Sequence, residues 1–156
     1  MIRKILYLII IVCAFGFGQK LERRKIEEMN PIETIRLSKI EDVILLETDT
    51  GEFGAGRTVE EAVKALEETS IGDLFLDSVE FVMVERGTED ILNDLKGIVN
   101  SNCKIALDNS NADIQAITEY LRTHVPSESL SDIYHGTDLS SELLEKEGRF
   151  FLLKKE

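Results

Sequence analysis

The chain has 156 residues, 30 of them acidic and 18 basic, and a formal net charge of −12. With 43% hydrophobic residues it carries enough apolar material for one ordinary core, and it is too short for a TIM barrel or a two-half dinucleotide-binding fold. The acidic balance excludes nucleic acid as a partner, because a phosphate backbone needs a basic face. The sequence therefore predicts one small acidic domain.

Residues 1–18 differ from the rest of the chain and predict an export signal or membrane anchor. Arg3 and Lys4 precede an apolar run from Ile5 to Phe17, which suits a signal peptide and is shorter than the roughly 20 residues of a spanning helix. Three fates stay open: cleavage before Gln19, lipidation at Cys13, or retention as an anchor. Each one predicts a location outside the cytoplasm, at the outer face of the membrane or secreted.

Residues 19–30 are charge-dense and are predicted to form a tether, whose basic residues suit anionic lipid head groups. An α/β domain is expected to follow over residues 31–126. Ile32–Leu37 and Asp42–Thr48 read as two strands of a hairpin, and the glycine-rich stretch Asp49–Gly56 reads as a loop.

Helices and buried strands are expected to alternate after that loop. Thr58 and Glu61 fit a capping box at the start of a first helix. Leu74–Val84 is a strand candidate with a break at Asp77-Ser78, and Gly87-Thr88 opens a second helix. The apolar stripes of the two helices are Val59, Ala62, Val63 and Leu66, and then Ile91, Leu92, Leu95, Ile98 and Val99.

The last predicted elements are a short strand from Cys103 to Leu107 and a third helix, capped by Asn111 and stopped by Pro126. The order β-β-α-β-α-β-α predicts the α/β fold class, as a single small domain with a mixed sheet. Residues 127–156 are expected to add helical turns at 130–134 and 139–146 and a candidate last strand at 149–153.

Two segments resemble binding loops. Gly51–Thr58 has the spacing of a phosphate loop, but Arg57 stands where that loop needs lysine, so a plain turn and a helix cap are the preferred interpretation. Asp108–Asp113 resembles a calcium loop but lacks the central glycine and the late glutamate. A turn between a strand and a helix explains it more simply.

The remaining reactive residues point to no catalytic site. His124 and His135 lack a third ligand at metal spacing and are expected to be structural or exposed. Cys103 is expected to be a small, half-buried strand residue, and acidic pairs are expected to form a solvated face. The sequence predicts a non-enzymatic protein with no catalytic residues, no cofactor and no metal.

The segment Gly56–Leu66, followed by Leu74–Leu76 and then Val79–Val84, resembles the N-terminal domain of the Ger(x)C-type spore germination lipoproteins. The similarity covers about residues 33–134 and includes the Val125-Pro126-Ser127 segment after the third helix. The chain lacks room for the large C-terminal domains of that family and would be a stand-alone, truncated relative. The resemblance implies a non-enzymatic subunit on the outer face of a membrane, beside polytopic partners in a germinant receptor.

Two functions therefore stay open. The first is an exported or membrane-tethered interaction domain, a candidate spore germination component, with membrane or polytopic membrane proteins as partners. The alternative is an extracytoplasmic small-ligand or ion-binding module, with the Gly51–Thr58 turn or the Asp108–Asp113 turn as its pocket.

Overall fold

A mixed sheet of seven strands carries the fold in the computed structural model, which describes residues 29–70 and 72–154. The predicted signal lies outside the described residues, as does most of the predicted tether. The strands are β1 (Met29–Pro31), β2 (Thr34–Ile40), β3 (Val43–Thr48), β4 (Phe53–Gly56), β5 (Asp73–Phe75), β6 (Phe81–Glu85), β7 (Lys104–Asn109), β8 (Ser141–Lys146) and β9 (Arg149–Lys154). The helices are α1 (Val59–Thr69), α2 (Ile114–Leu121) and α3 (Leu130–Tyr134), with 3₁₀ helices at Leu76–Ser78 and Glu89–Leu95.

The strand order in the large sheet is β4-β3-β2-β6-β7-β8-β9. The four central strands β2, β6, β7 and β8 run parallel, and β3, β4 and β9 join as antiparallel neighbours at the two edges. β1 and β5 form a separate parallel pair. The predicted α/β fold with a mixed sheet is confirmed.

Helices cover the two faces of the sheet unequally. On the α1 face, the apolar stripe of α1 packs in one core with the 3₁₀ helix Glu89–Leu95 and with Leu130 at the start of α3. On the α2 face, Ile117 and Leu121 of α2 pack on a smaller core formed by β6, β7 and β8. The α2 face of β3 and β4 has no helix over it within the described part of the chain, whereas β2 contacts α2 and its Thr34 is fully buried.

Helix α1 is packed so closely on β4 that only glycine fits at the two strand positions that face the helix. A Cβ on Gly54 would clash with the carbonyl oxygen of Ala62, and one on Gly56 would lie 2.6 Å from the backbone nitrogen of Ala62. The prediction of a loop over Asp49–Gly56 is therefore wrong at its end, because Gly54 and Gly56 serve helix–strand contact and not a turn.

The cap of α1 follows its prediction with one change of partner. The Thr58 hydroxyl accepts from the Glu61 N–H at 3.2 Å, as expected. In a capping box the Glu61 carboxylate would accept from the Thr58 N–H. It accepts instead from the Arg57 N–H, at 2.8 Å. The predicted cap of the third helix is also displaced, since Asp113 and not Asn111 accepts from the Gln115 N–H, at 2.8 Å.

Further differences lie in the second predicted helix and in the C-terminal segment. The second helix is a 3₁₀ helix that ends at Leu95, two residues before Gly97 with a φ of 84°. Residues 139–146, predicted as helical turns, contain strand β8, which pairs with β9 across a two-residue turn at Glu147 and Gly148, both with positive φ. The α/β unit thus continues to Lys154, beyond the predicted end at residue 126.

A buried carboxylate joins β8 to the chain that precedes α3. Glu128 accepts hydrogen bonds from the hydroxyls of Ser127 at 2.9 Å, Ser140 at 2.6 Å and Ser141. Burial alone would raise the pKa of Glu128, but these three hydrogen bonds outweigh it and lower the pKa from 4.5 to about 2. The ionised form of Glu128 therefore stabilises the folded protein.

We expect Gly54→Ala to destabilise the protein by about 3 kcal/mol, because the added methyl group meets the backbone of α1. Ala55→Ser, at the exposed next position on the opposite face, is the matched control and should stay within about 0.5 kcal/mol. Urea unfolding measures both. Equal stability of Gly54→Ala and Ala55→Ser would contradict the close packing of α1 on β4.

The stability contributed by Glu128 should depend on pH in a defined direction. Its folded pKa is lowered, so the contribution is complete above the unfolded value of 4.5 and is lost as the pH falls towards 2. The stability difference between the natural chain and Glu128→Gln should therefore shrink between pH 5 and pH 2.5, as followed by thermal unfolding. A difference that grows on acidification would contradict the assignment.

Candidate functional site

The carboxyl ends of β2, β6 and β7 border a cleft of about 600 Å³. The chain leaving β6 turns to the 3₁₀ helix on the α1 face, while the chain leaving β7 turns to α2 on the opposite face. A crevice opens where the connections of neighbouring parallel strands diverge in this way, and ligands of open α/β sheets bind there. The polar side chains at this cleft include Arg36, Ser38, Glu85, Arg86, Asp108 and Asn111.

Arg36 on β2 is the central charged group of the cleft. Its Nε lies 2.8 Å from Oδ2 of Asp108 in an ion pair, its Nη1 donates to Glu47 at 3.0 Å, and its Nη2 donates to the Ala112 carbonyl at 2.7 Å. The side chains of Arg36 and Asp108 are only 18% and 5% exposed. Arg36 thus connects β2 to β3, to β7 and to the loop before α2.

Asp108 is held on its other side as well. Its Oδ1 accepts from the Ser110 N–H at 2.9 Å and from the Ser110 hydroxyl at 2.8 Å. The predicted Asp108–Asp113 turn is therefore a strand-to-helix turn, as expected, and its first carboxylate faces an arginine and not a cation site.

A second arginine is oriented by a carboxylate of β8. Nη2 of Arg86 donates to both carboxylate oxygens of Glu142, at 2.7 and 2.8 Å, and Asn109 Nδ2 donates to the same group at 3.3 Å. Arg86 is half exposed and Glu142 is largely buried. The buried carboxylate fixes Arg86 at the wall of the cleft.

Two ion pairs account for the buried carboxylates at the cleft. Asp108 and Glu142 each form an ion pair with an arginine of the cleft. Among the described residues, no group of three or more histidine, cysteine or acidic side chains is placed to hold a metal ion.

The two histidines and the cysteine lie away from the cleft. The ring of His124 stacks on Tyr120 with 4.2 Å between centroids, and His135 Nδ1 lies 2.6 Å from the Ser131 carbonyl; both histidines are exposed, as predicted. Cys103 is more deeply buried than expected, and burial raises the pKa of its thiol to about 12. A thiol held protonated in this way is a poor nucleophile.

The phosphate-loop-like segment Gly51–Thr58 forms no phosphate cradle. Its residues 53–56 pair with β3 as strand β4, and Gly54 and Gly56 face α1. Two of its glycines therefore serve helix packing.

Beside the cleft, the α2 face of β3, β4 and the end of β2 is open, and we call it the open face. It presents five apolar residues: Ile40, Val43, Leu45, Phe53 and Ala55. Phe53 is 60% exposed and stands across from Glu47, whereas Leu45 is half-buried. The ion pair between Arg36 and Glu47 lies at the border of this face and separates it from the core under α2.

Sequence reasoning did not identify Arg36, Arg86 or the open face. The sequence does carry a signal for Arg36, which stands between the apolar residues Ile35 and Leu37 of a predicted strand. The partner carboxylates lie on strands far along the chain, and only the strand order brings them together.

Compared with protein-family models, curated proteins and solved structures, the chain matches none of them. No helix among the residues that the structure describes is long and apolar enough to span a membrane. The predicted export segment Ile5–Phe17 lies outside those residues.

The two cleft arginines should differ in their effect on stability. Arg36→Met leaves the buried Asp108 carboxylate without its charge partner and should cost about 3 kcal/mol. Arg86→Met leaves Glu142 with Asn109 as a remaining partner and removes a side chain that is half exposed, so it should cost less, about 1.5 kcal/mol. Urea unfolding of the two variants tests this order, and an equal or reversed order would contradict the central place of Arg36.

Proposed function

We propose that this chain is a membrane-tethered, non-enzymatic interaction domain that binds the extracytoplasmic part of a polytopic membrane protein. The observation that carries the proposal is the open face, which presents apolar side chains to solvent on a strongly acidic protein. Clustered exposed apolar residues with polar neighbours are typical of protein–protein contact surfaces.

Phe53 is the natural centre of such a contact. It is the largest exposed side chain of the open face, and its neighbours on β3 and β4 are Leu45, Glu47 and Ala55. Burying one such aromatic side chain contributes roughly 1.5–3 kcal/mol, and aromatic anchors of this kind dominate many interfaces.

The position of the chain entry supports a membrane protein as the partner. The described chain begins at Met29, just before β2, and 28 residues precede it, including the apolar run Ile5–Phe17. A tether at the membrane would raise the effective concentration of the domain for a membrane partner. The open face extends from β2, the first strand of the large sheet after this tether.

Within this proposal, the partner belongs to a germinant receptor and the chain is a truncated relative of the Ger(x)C-type proteins. Support comes from the segment that carries the resemblance, Gly56–Leu66, which forms the end of β4 and most of α1. The following segment Leu74–Val84 leads into β6, in the order that the resemblance implies.

Site-specific photocrosslinking in native membranes tests this proposal. A photoreactive phenylalanine analogue replaces Phe53 on the open face, and the same analogue replaces Phe75, which is exposed on β5, as the matched control. We expect an adduct with an integral membrane protein from position 53 and not from position 75. A chain recovered free of the membrane, or equal adducts from both positions, would contradict the proposal.

A second candidate function, binding of a small polar ligand, is favoured by the cleft at the divergence of β6 and β7. One of the two turns predicted as a pocket, Asp108–Asp113, lines this cleft. Calorimetry with nucleotides and divalent cations tests it, because the absence of heat at millimolar concentrations would eliminate these two ligand classes.

A further inference from the structure

Strand β9 forms the edge of the sheet farthest from the open face. Among the described strands it pairs with β8 alone, in a register that runs from Lys146 opposite Arg149 to Ser141 opposite Lys154. Phe151 is 44% exposed, and Leu153 is also exposed. An apolar edge strand of six residues is a template for pairing with another chain.

The register indicates which backbone groups are free to pair. In a hairpin with a two-residue turn, the residues that flank the turn form a hydrogen-bonded pair, and such pairs alternate along the ladder. Phe151 and Leu153 therefore bond to β8, and Phe150, Leu152 and Lys154 turn their N–H and C=O groups outwards. The Leu152 N–H indeed points away from β8, because it donates to the Tyr120 phenol oxygen at 3.0 Å.

The charges at this edge are opposite to those of the protein as a whole. Arg149 and Lys154 flank the apolar residues of β9, both exposed, in a chain with a net charge of −12. Lys154 has one distant ion-pair partner, Glu128 at 3.9 Å, and keeps most of its side chain in solvent. A second copy of β9 paired antiparallel about Leu152 would place Lys154 opposite Phe150, so the basic side chain would gain no acidic partner.

We propose that the β9 edge accepts an extended apolar segment flanked by acidic residues, contributed by another protein, as an eighth strand of the sheet. Backbone hydrogen bonds to Phe150, Leu152 and Lys154 hold the segment, and its acidic ends meet Arg149 and Lys154. The Tyr120 phenol occupies the Leu152 N–H until the segment displaces it. This site is separate from the open face and does not depend on the proposed function.

Fluorescence anisotropy with the full chain purified in detergent tests the site. The probe is a labelled peptide with alternating valine and threonine and two glutamates at each end; its counterpart carries lysines in place of the glutamates. We expect the acidic peptide to bind about tenfold more tightly than the basic one, with the preference reduced at high salt. Equal binding of both peptides would overturn the proposal.

Three variants locate the binding. Phe151→Asp puts a negative charge on the edge, which repels the glutamates of the acidic peptide, and should weaken binding of that peptide about tenfold. Phe53→Asp on the open face should leave its binding unchanged. Tyr120→Phe removes the phenol that competes for the Leu152 N–H and should tighten binding about threefold. If Phe53→Asp weakens binding as much as Phe151→Asp does, the peptide does not bind at the β9 edge. If Tyr120→Phe leaves binding unchanged or weakens it, the peptide does not pair with Leu152. Thermal unfolding confirms that each variant is folded.

Discussion

The contact of α1 with β4 is the constraint from which the open face follows. Positions 54 and 56 lie on the face packed against α1, and no residue larger than glycine fits there. Side chains alternate along a strand, so Phe53 and Ala55 must point to the other face. Among the helices of the described residues, α2 alone packs on that face; it has eight residues and covers β6, β7 and β8. The apolar residues of β3 and β4 on this face consequently stay exposed in the described structure.

Arg36 defines the border between the covered and the open part of the same sheet face. It lies beside Met83 in the register of β2 and β6, where the core under α2 ends. Burying an arginine is costly, and the ion pairs to Asp108 and Glu47 offset this cost. The same contacts hold the loop before α2, and with it the wall of the cleft. One residue thus separates an exposed apolar surface from a polar cleft.

The sequence predicted the elements whose signal is local. Periodicity and capping residues located β2, β3, α1, β6 and β7, and the alternation of helices with buried strands gave the fold class. The prediction was wrong where tertiary contact decides the structure. Glycines in 49–56 are typical of a loop, and only the approach of α1 makes Gly54 and Gly56 strand residues. Likewise, the segment that forms β8 acquires its strand conformation by pairing with β7 and β9, which its own apolar spacing does not reveal.

The candidate site was less predictable than the fold because its parts are distant in sequence. Arg36 and Asp108 are brought together by the placement of β6 between β2 and β7, and Arg86 meets Glu142 across the sheet. The turn at Asp108 was recognised as a candidate pocket, but its arginine partner was not. A single sequence records the residue types of such a site and not their neighbours in space.

We propose that a membrane protein covers the open face in the native setting. The most direct measurement is the rate at which a maleimide modifies Phe53→Cys in native membranes and in detergent-purified protein. Val125→Cys, at an exposed position away from the open face, serves as the reference, and the buried Cys103 thiol with its raised pKa should react slowly. If a partner covers the open face, position 53 should be strongly protected in native membranes and modified rapidly after purification. Equally rapid modification in both preparations would contradict it.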